Sequence, residues 1–383
     1  MSTAIPNSRK RMTCRQRVNA ALEGRDHDRV PRHESFWRDT LVRWRREGHL
    51  AGGLAEDQLP GDELAGDELR GAALELLQSD FAGLCWIWPR PFGGDVVLEE
   101  DAETRVVRDG HGKTVRLWKH RMGTPEHLGF GCTCRADWET TYKPLLLKAG
   151  VRLDVEDIVR RARQADERGQ WTFLAGIEGF EATRALLGDE ISLMAMCEDP
   201  DWLRDVADTV VDLSIQGYQR ILDAGVRPDG LWTYGDMAYN HATMCSPAMY
   251  KELLWPGHKR LADFAHRNGM KFIFHTDGDV NGVLDLYLAA GFDCLQPLEA
   301  KANMDIRNLC PRYGDRLTFF GNIDVMVMAA NDRERLEHEV RTKLAAGMAT
   351  KRYIYHSDHS VPPGCDFATW KFVIELLDRY GWY

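Results

Sequence analysis

From residue 30 to the end, short β-branched or aromatic runs alternate with longer stretches whose apolar residues recur at steps of three and four. That alternation is the rhythm of βα units laid on a parallel sheet. Strands are expected near Val30–His33, Phe81–Ile87, Trp171–Ile177, Gly230–Tyr234, Lys271–His275, Phe292–Pro297, Leu317–Gly321 and Tyr353–His356. This is the strand count of a (β/α)8 barrel. Between them, Asp199-Pro200 reads as the cap and first position of a helix running to about Leu222, with Leu203, Val206, Val210 and Leu213 as its apolar stripe. Asp332–Ala346 repeats the pattern with Leu336, Val340, Leu344 and Ala345, and Gly225, Gly269 and Gly291 punctuate helix ends. Residues 94–119 break the rhythm. They alternate around Asp109-Gly110, which predicts an antiparallel hairpin inserted over one mouth of the barrel. Residues 1–29 form an N-terminal helical extension, and the Gly-, Asp- and Glu-rich run 51–67 reads as a surface excursion. The expected architecture is one barrel domain over residues 1–383.

Composition narrows the class. Hydrophobic residues make up 44% and charged residues 28% of the chain, the balance of a soluble globular protein. The net charge of −10, with no basic block, argues against nucleic acid or an anionic membrane as the main partner. No stretch approaches the roughly 20 apolar residues of a membrane span. Met1–Arg11 has no apolar run behind it and does not read as a secretory signal. Nine cysteines without a repeating spacing read as reduced thiols in a cytoplasm, and Cys132 and Cys134 stand too close for a structural zinc knuckle. A small-molecule substrate remains as the expected partner, and self-association into a homo-oligomer stays open.

Barrel enzymes carry their reacting groups on the loops after the strands. Here those positions hold His33-Glu34, Glu178, Asp236, His275 and Asp277, Glu299, Asn322 and Asp324, then His356, Asp358 and His359. Loops are polar in general, which accounts for any one of these; it accounts less well for so many His and acid residues at one end of a sheet. His275 and Asp277, two apart at a strand end, project from the same side. With His356 or Cys365 they would suit zinc or a harder divalent metal. The same histidines also read as hydrogen-bond donors fixed by neighbouring acids, with no metal, and both readings stand. Asp236, Glu178, His356 and Tyr234 are the catalytic candidates. His33, Trp37, Asn322 and Asp358 are the substrate-binding ones, and Gly321 would let the backbone come close to a ligand.

These motifs together resemble the uroporphyrinogen decarboxylase superfamily, which includes corrinoid-dependent methyltransferases. The likeness starts at Met12-Thr-Cys-Arg-Gln-Arg-Val-Asn-Ala-Ala-Leu-Glu-Gly and Asp28-Arg-Val-Pro. It continues through Ser246-Pro-Ala-Met-Tyr, His275-Thr-Asp-Gly-Asp, Gln296-Pro-Leu-Glu, Gly321-Asn-Ile-Asp and Tyr355-His-Ser-Asp-His-Ser-Val-Pro-Pro. True porphyrinogen decarboxylases carry an Arg-Gln-Ala-Gly-Arg signature near the first strand; here that region reads Arg32-His-Glu-Ser-Phe-Trp-Arg38. The zinc methyltransferases of the family use His-x-Cys with a distant Cys, where this chain has His275-x-Asp277 and Cys365. The resemblance implies transfer of a methyl group from a small methoxylated or methylated substrate to a corrinoid. The carrier signature Asp-x-His-x-x-Gly is absent, so the corrinoid would arrive on a separate carrier protein. A metal-free decarboxylase or other lyase is the alternative the same resemblance allows.

Overall fold

The computed structural model describes residues 11–51, 63–119 and 124–383, of which 63–67 as backbone only. Most of the run 51–67 and nearly all of Met1–Arg11 lie outside the described residues. In chain order, β1 (Phe81–Ile87) is followed by an insertion of β2 (Val96–Glu100), β3 (Thr104–Arg108), β4 (Thr114–Trp118) and β5 (Glu126–Gly129). Then come β6 (Trp171–Ile177), β7 (Gly230–Tyr234), a ribbon of β8 (Ala238–Tyr239) and β9 (Ala242–Thr243), β10 (Lys271–Thr276), β11 (Cys294–Pro297), β12 (Thr318–Phe320) and β13 (Tyr353–Ile354). The main sheet is parallel throughout, in the order β1-β6-β7-β10-β11-β12-β13. Helices cover its outer face. Asp199 caps the helix Pro200–Asp223, which buries the expected stripe, and Asp332 caps Arg333–Thr350.

The expected first strand is the exception. Residues 30–33 form only an isolated bridge, Arg32 to Tyr355, because Pro31 has no N–H to extend a ladder. The barrel still closes there. Tyr355 N donates to Pro31 O, His33 N to Tyr355 O, and Asp80 N to Arg32 O. The seam is completed by side chains. Asp80, fully buried, accepts from Arg17 Nη1 at 2.6 Å, Arg29 Nη1 at 2.8 Å and the Arg32 backbone N–H at 2.8 Å. Asp28 takes the rest of the Arg17 guanidinium, at 2.6 and 2.7 Å.

The helix Cys14–Glu23, opened by a capping box between Thr13 and Gln16, plugs the end of the barrel opposite the strand C-termini. Its Val18, Ala21 and Leu22 pack inside the barrel against Phe81, Trp171, Phe320 and Ile354. The insertion is larger than a hairpin. β3 and β4 do pair antiparallel about the Asp109–Gly112 turn, but β2 and β5 flank them to make a four-stranded sheet. Alternation is weak in β2, exposed at every position, which is why the sequence shows only the central pair.

Asp80→Ala should leave two buried guanidinium groups without their shared partner, a loss of about 3–5 kcal/mol by the measure of a broken buried ion pair. A urea titration checks it; a shift under about 1 kcal/mol would show that the seam does not depend on Asp80.

Candidate functional site

The strand C-termini surround a cavity of about 510 Å3. Its lining combines the aromatic side chains of Phe36, Trp37, Trp86, Phe173, Trp232 and Tyr234 with a polar face of His275, Asp277, Gln296, His356 and His359. Trp37 and Trp86 are 38% and 53% exposed, so they form its rim rather than its wall. His33 sits at the floor, 5.4–6.4 Å between ring centroids from Phe81, Phe173, Trp232 and Phe320. Burial pushes its pKa down to about 3, with His356 and Arg70 adding to the effect, so it is a neutral part of the floor.

Asp236, His275 and Asp277 converge on the polar face. Each offers one ligand atom, and the three atoms lie within 4.8 Å of one another. The parallel register pairs His275 with Tyr234, so the residues two further along both chains, Asp236 and Asp277, meet at the same height. Supporting contacts fix each member. The Tyr234 hydroxyl donates to Asp236 Oδ2 at 2.7 Å, and its ring stacks on His275 at 4.5 Å. The Asp277 N–H donates to Asp236 Oδ1 at 3.1 Å. His275 Nδ1 donates to Gln296 Oε1, which leaves Nε2 facing Asp236 Oδ1 at 3.7 Å. A ligating histidine held through its other nitrogen is the usual arrangement at metal centres.

Asp277 shows what the cluster lacks. Its Oδ2 lies 3.5 Å from His359 Nε2, while its Oδ1 is buried with no hydrogen-bond partner among the described residues. Burial pushes its pKa up to about 6, opposed by His275 and His359 and helped by Asp236 and Glu299. A buried carboxylate oxygen without a donor is costly, and a cation removes the cost. Two carboxylates and the imidazole nitrogen that does not bond Gln296 fit a divalent ion such as zinc, manganese or iron.

The other residues singled out in the sequence divide. His33, Trp37, Tyr234 and His356 line the cavity. His356 donates from Nδ1 to Ser357 O at 2.6 Å and accepts at Nε2 from Ser35 Oγ at 3.1 Å. Burial pushes its pKa down to about 4, so it stands neutral at neutral pH. Four residues do not line the cavity. Cys365 is fully buried beyond the last strand, its thiol on Asp366 O at 3.7 Å, and takes no part in the cluster; Asp236 is the third member instead. Glu178 caps the helix Gly179–Leu187, accepting from the N–H of Phe180 and Glu181, and pairs with His258 Nε2 at 2.9 Å. Asn322 pins loops, accepting from Ile306 N and donating to the carbonyls of Leu298 and Met304. Asp358 accepts from Ala300 N and Val325 N. Gly321 allows a close approach, but to the Pro297 carbonyl, not to a ligand. Gln296 and Ser35 were missed as cavity residues, and Glu34, named among the strand-end acids, was given no role; all three line the cavity. Gln296 had a signal, since strand pairing sets it directly beside His275.

Comparison with known proteins agrees with this architecture. The family profile described as uroporphyrinogen decarboxylase (URO-D) matches residues 185–380, just over half of the 383-residue chain. The chain belongs to the uroporphyrinogen decarboxylase family. Among solved structures, a methyltransferase from Methanosarcina mazei superposes with a TM-score of 0.69 at 16% identity, over 96% of this chain and 99% of that one. That likeness shows the shared fold. The YdhT protein from Bacillus subtilis aligns at 10% identity with a TM-score of 0.41, over 91% of this chain and 89% of that one. A chitinase from Chromobacterium violaceum aligns at 11% identity with a TM-score of 0.33, over 57% and 83%. No curated protein sequence matches the chain.

Equilibrium dialysis against Zn2+ or Co2+ should find one ion per chain, held roughly tenfold or more weakly by Asp236→Asn and Asp277→Asn. Cys365→Ser should bind like the unaltered protein. If the thiol variant loses the ion as fully as Asp277→Asn does, the thiolate belongs in the site after all.

Proposed function

We propose that the protein is a methyltransferase that takes a methyl group from a small methoxylated or methylated molecule and passes it to a cob(I)alamin-type corrinoid on a separate carrier protein. The observation that carries this reading is the Asp236–His275–Asp277 cluster, with its orphaned carboxylate oxygen, at the polar face of an aromatic cavity. The fold shared with a methyltransferase supports it. A volume of about 510 Å3 lies within the range of small-molecule sites and below what a macrocycle with its side arms needs. Arg70 is the one arginine among the described lining residues, so the several carboxylates of a porphyrinogen would find a single guanidinium partner; this favours methyl transfer over the decarboxylase reading.

In such a transfer the cobalt(I) electron pair forms the new bond to carbon, and the leaving oxygen, nitrogen or sulfur keeps the pair of the broken bond. A divalent ion held by Asp236, His275 and Asp277 would supply positive charge beside that atom. The protein's own part is orientation. Tyr234 holds Asp236 and stacks on His275, Gln296 sets the His275 tautomer, and Trp37, Trp86 and Trp232 grip the rest of the substrate.

The test is to supply metal, reduced cobalamin and a panel of methoxylated aromatics, methoxy sugars and methylated amines, and to read methylcobalamin by its absorbance. At least one compound should be demethylated, and His275→Ala should abolish the signal, a loss of 10²-fold or more (order of magnitude), with the fold intact. If no donor is demethylated and a carboxylated compound instead releases carbon dioxide, the lyase reading replaces this one.

A further inference from the structure

Behind the cavity, Glu34 lies fully buried among hydrogen-bonding groups that no step above uses. Its Oε2 accepts from the Tyr355 hydroxyl at 2.9 Å, and its Oε1 accepts from Ser35 N at 3.0 Å. The Ser357 N–H reaches both oxygens at 3.3–3.4 Å. The decisive contact is with Ser357 Oγ, 2.6 Å from Glu34 Oε1. That same hydroxyl also contacts the carbonyl oxygen of His359. A serine hydroxyl has one hydrogen. It cannot donate both to a carboxylate and to a carbonyl, and a carbonyl cannot donate back. Both contacts are hydrogen bonds only if Glu34 carries a proton, gives it to Ser357 Oγ, and Ser357 gives its own to His359 O.

We propose that Glu34 is held as the neutral acid and, through Ser357, is the positioning residue for the Ser357–His359 turn that carries His356 and His359 to the cavity. The turn is where both histidines are fixed. His356 Nδ1 donates to Ser357 O, and His359 Nε2 faces Asp277 Oδ2 at 3.5 Å. The surroundings agree. The titratable groups facing Glu34 are His356 at 3.5 Å, Tyr353, Tyr355 and Cys365. All are neutral at neutral pH: burial holds His356 deprotonated and pushes the two phenols and the thiol up. Among the described residues no Lys or Arg forms an ion pair with Glu34 to favour a carboxylate. Burial accordingly pushes Glu34 up to about 7 against the pull of Ser357, Ser35 and Tyr355. The sign follows. A carboxyl raised above its unfolded value favours the fold at low pH, and that contribution fades as pH rises through about 7. Above it the Ser357 hydroxyl turns to the carboxylate and His359 O loses its donor.

Glu34→Gln and Glu34→Ala separate the possibilities, because an amide nitrogen at the Oε1 position donates to Ser357 Oγ as the acid does but does not titrate. It also gives up the bond that Oε1 accepts from Ser35 N, so the readout is the change with pH and not the absolute rate. Infrared spectra of the unaltered protein at neutral pH should show the carbonyl stretch of a protonated carboxyl group that disappears in Glu34→Gln. The ratio of amide exchange in 357–361 between the unaltered protein and Glu34→Gln should rise about fivefold from low to alkaline pH, as expected for one lost buried hydrogen bond. Glu34→Ala should exchange fast at every pH. The proposal is overturned if no such band exists, or if that ratio is the same at both ends of the pH range, since Glu34 would then keep one charge state throughout. Should Glu34→Ala fail to fold, the comparison of the unaltered protein with Glu34→Gln still decides.

Discussion

A barrel of parallel strands has to close on itself, and this one closes where its backbone has the least to offer. The segment 30–33 contributes a single bridge to the last strand, so the ladder that joins every other pair of neighbours is missing at the seam. Asp80 takes its place. One carboxylate gathers Arg17 from the plug helix, Arg29 from the chain before the seam and the Arg32 N–H from the seam itself. Three stretches distant in sequence are thereby fixed to the start of β1. A buried ion network of this kind adds little net stability over an apolar substitute, but removing one member is costly, so it specifies the closed arrangement.

The cavity depends on that seam. Closing it brings the chain after Arg32 alongside the chain after Tyr355, and those are the segments that hold His33, Glu34, Ser35, His356, Ser357 and His359. Asp236, His275 and Gln296 come instead from β7, β10 and β11, regular neighbours in the sheet. The site therefore joins one half held by ordinary strand pairing to another held by a side-chain network. The Ser357–His359 turn crosses between them, with His359 reaching Asp277.

The regular half was the legible half. Short β-branched or aromatic runs between amphipathic helices marked seven strands within a few residues, and the two-residue step from His275 to Asp277 placed both on one face. What sequence does not carry is the direction a side chain takes once it leaves the strand. Glu178, Asn322 and Asp358 sit at strand ends as Asp236 does, yet each turns to unpaired backbone N–H or C=O groups of neighbouring loops. Short polar side chains serve that need as readily as catalysis, and the choice is made by long-range partners. Cys365 followed the same logic: its place in the sequence matched a thiolate ligand, but packing on the last helix buries it away from the cluster. Pro31 was the local sign that the first strand could not be regular, and it was readable.

The two kinds of buried acid in this molecule separate structure from function. Asp80, Glu178 and Asp358 sit buried with donors supplied by the protein, so nothing from outside is needed to complete them. Asp277 is half-buried, but its Oδ1 is shut off from solvent and left without a partner among the described residues, beside a second carboxylate and the His275 imidazole. Other buried polar atoms are also without partners, Thr233 Oγ1 and the Tyr287 hydroxyl among them, but Asp277 Oδ1 is the one carboxylate oxygen in that state among the described residues, and its desolvation is the costliest to leave unrepaid. The aromatic side chains of the lining add the shape for an organic substrate but no compensating charge. Only a cation or a donor brought in from solution completes the constellation, and that requirement, more than any single residue type, is why the polar face of the cavity reads as a working site.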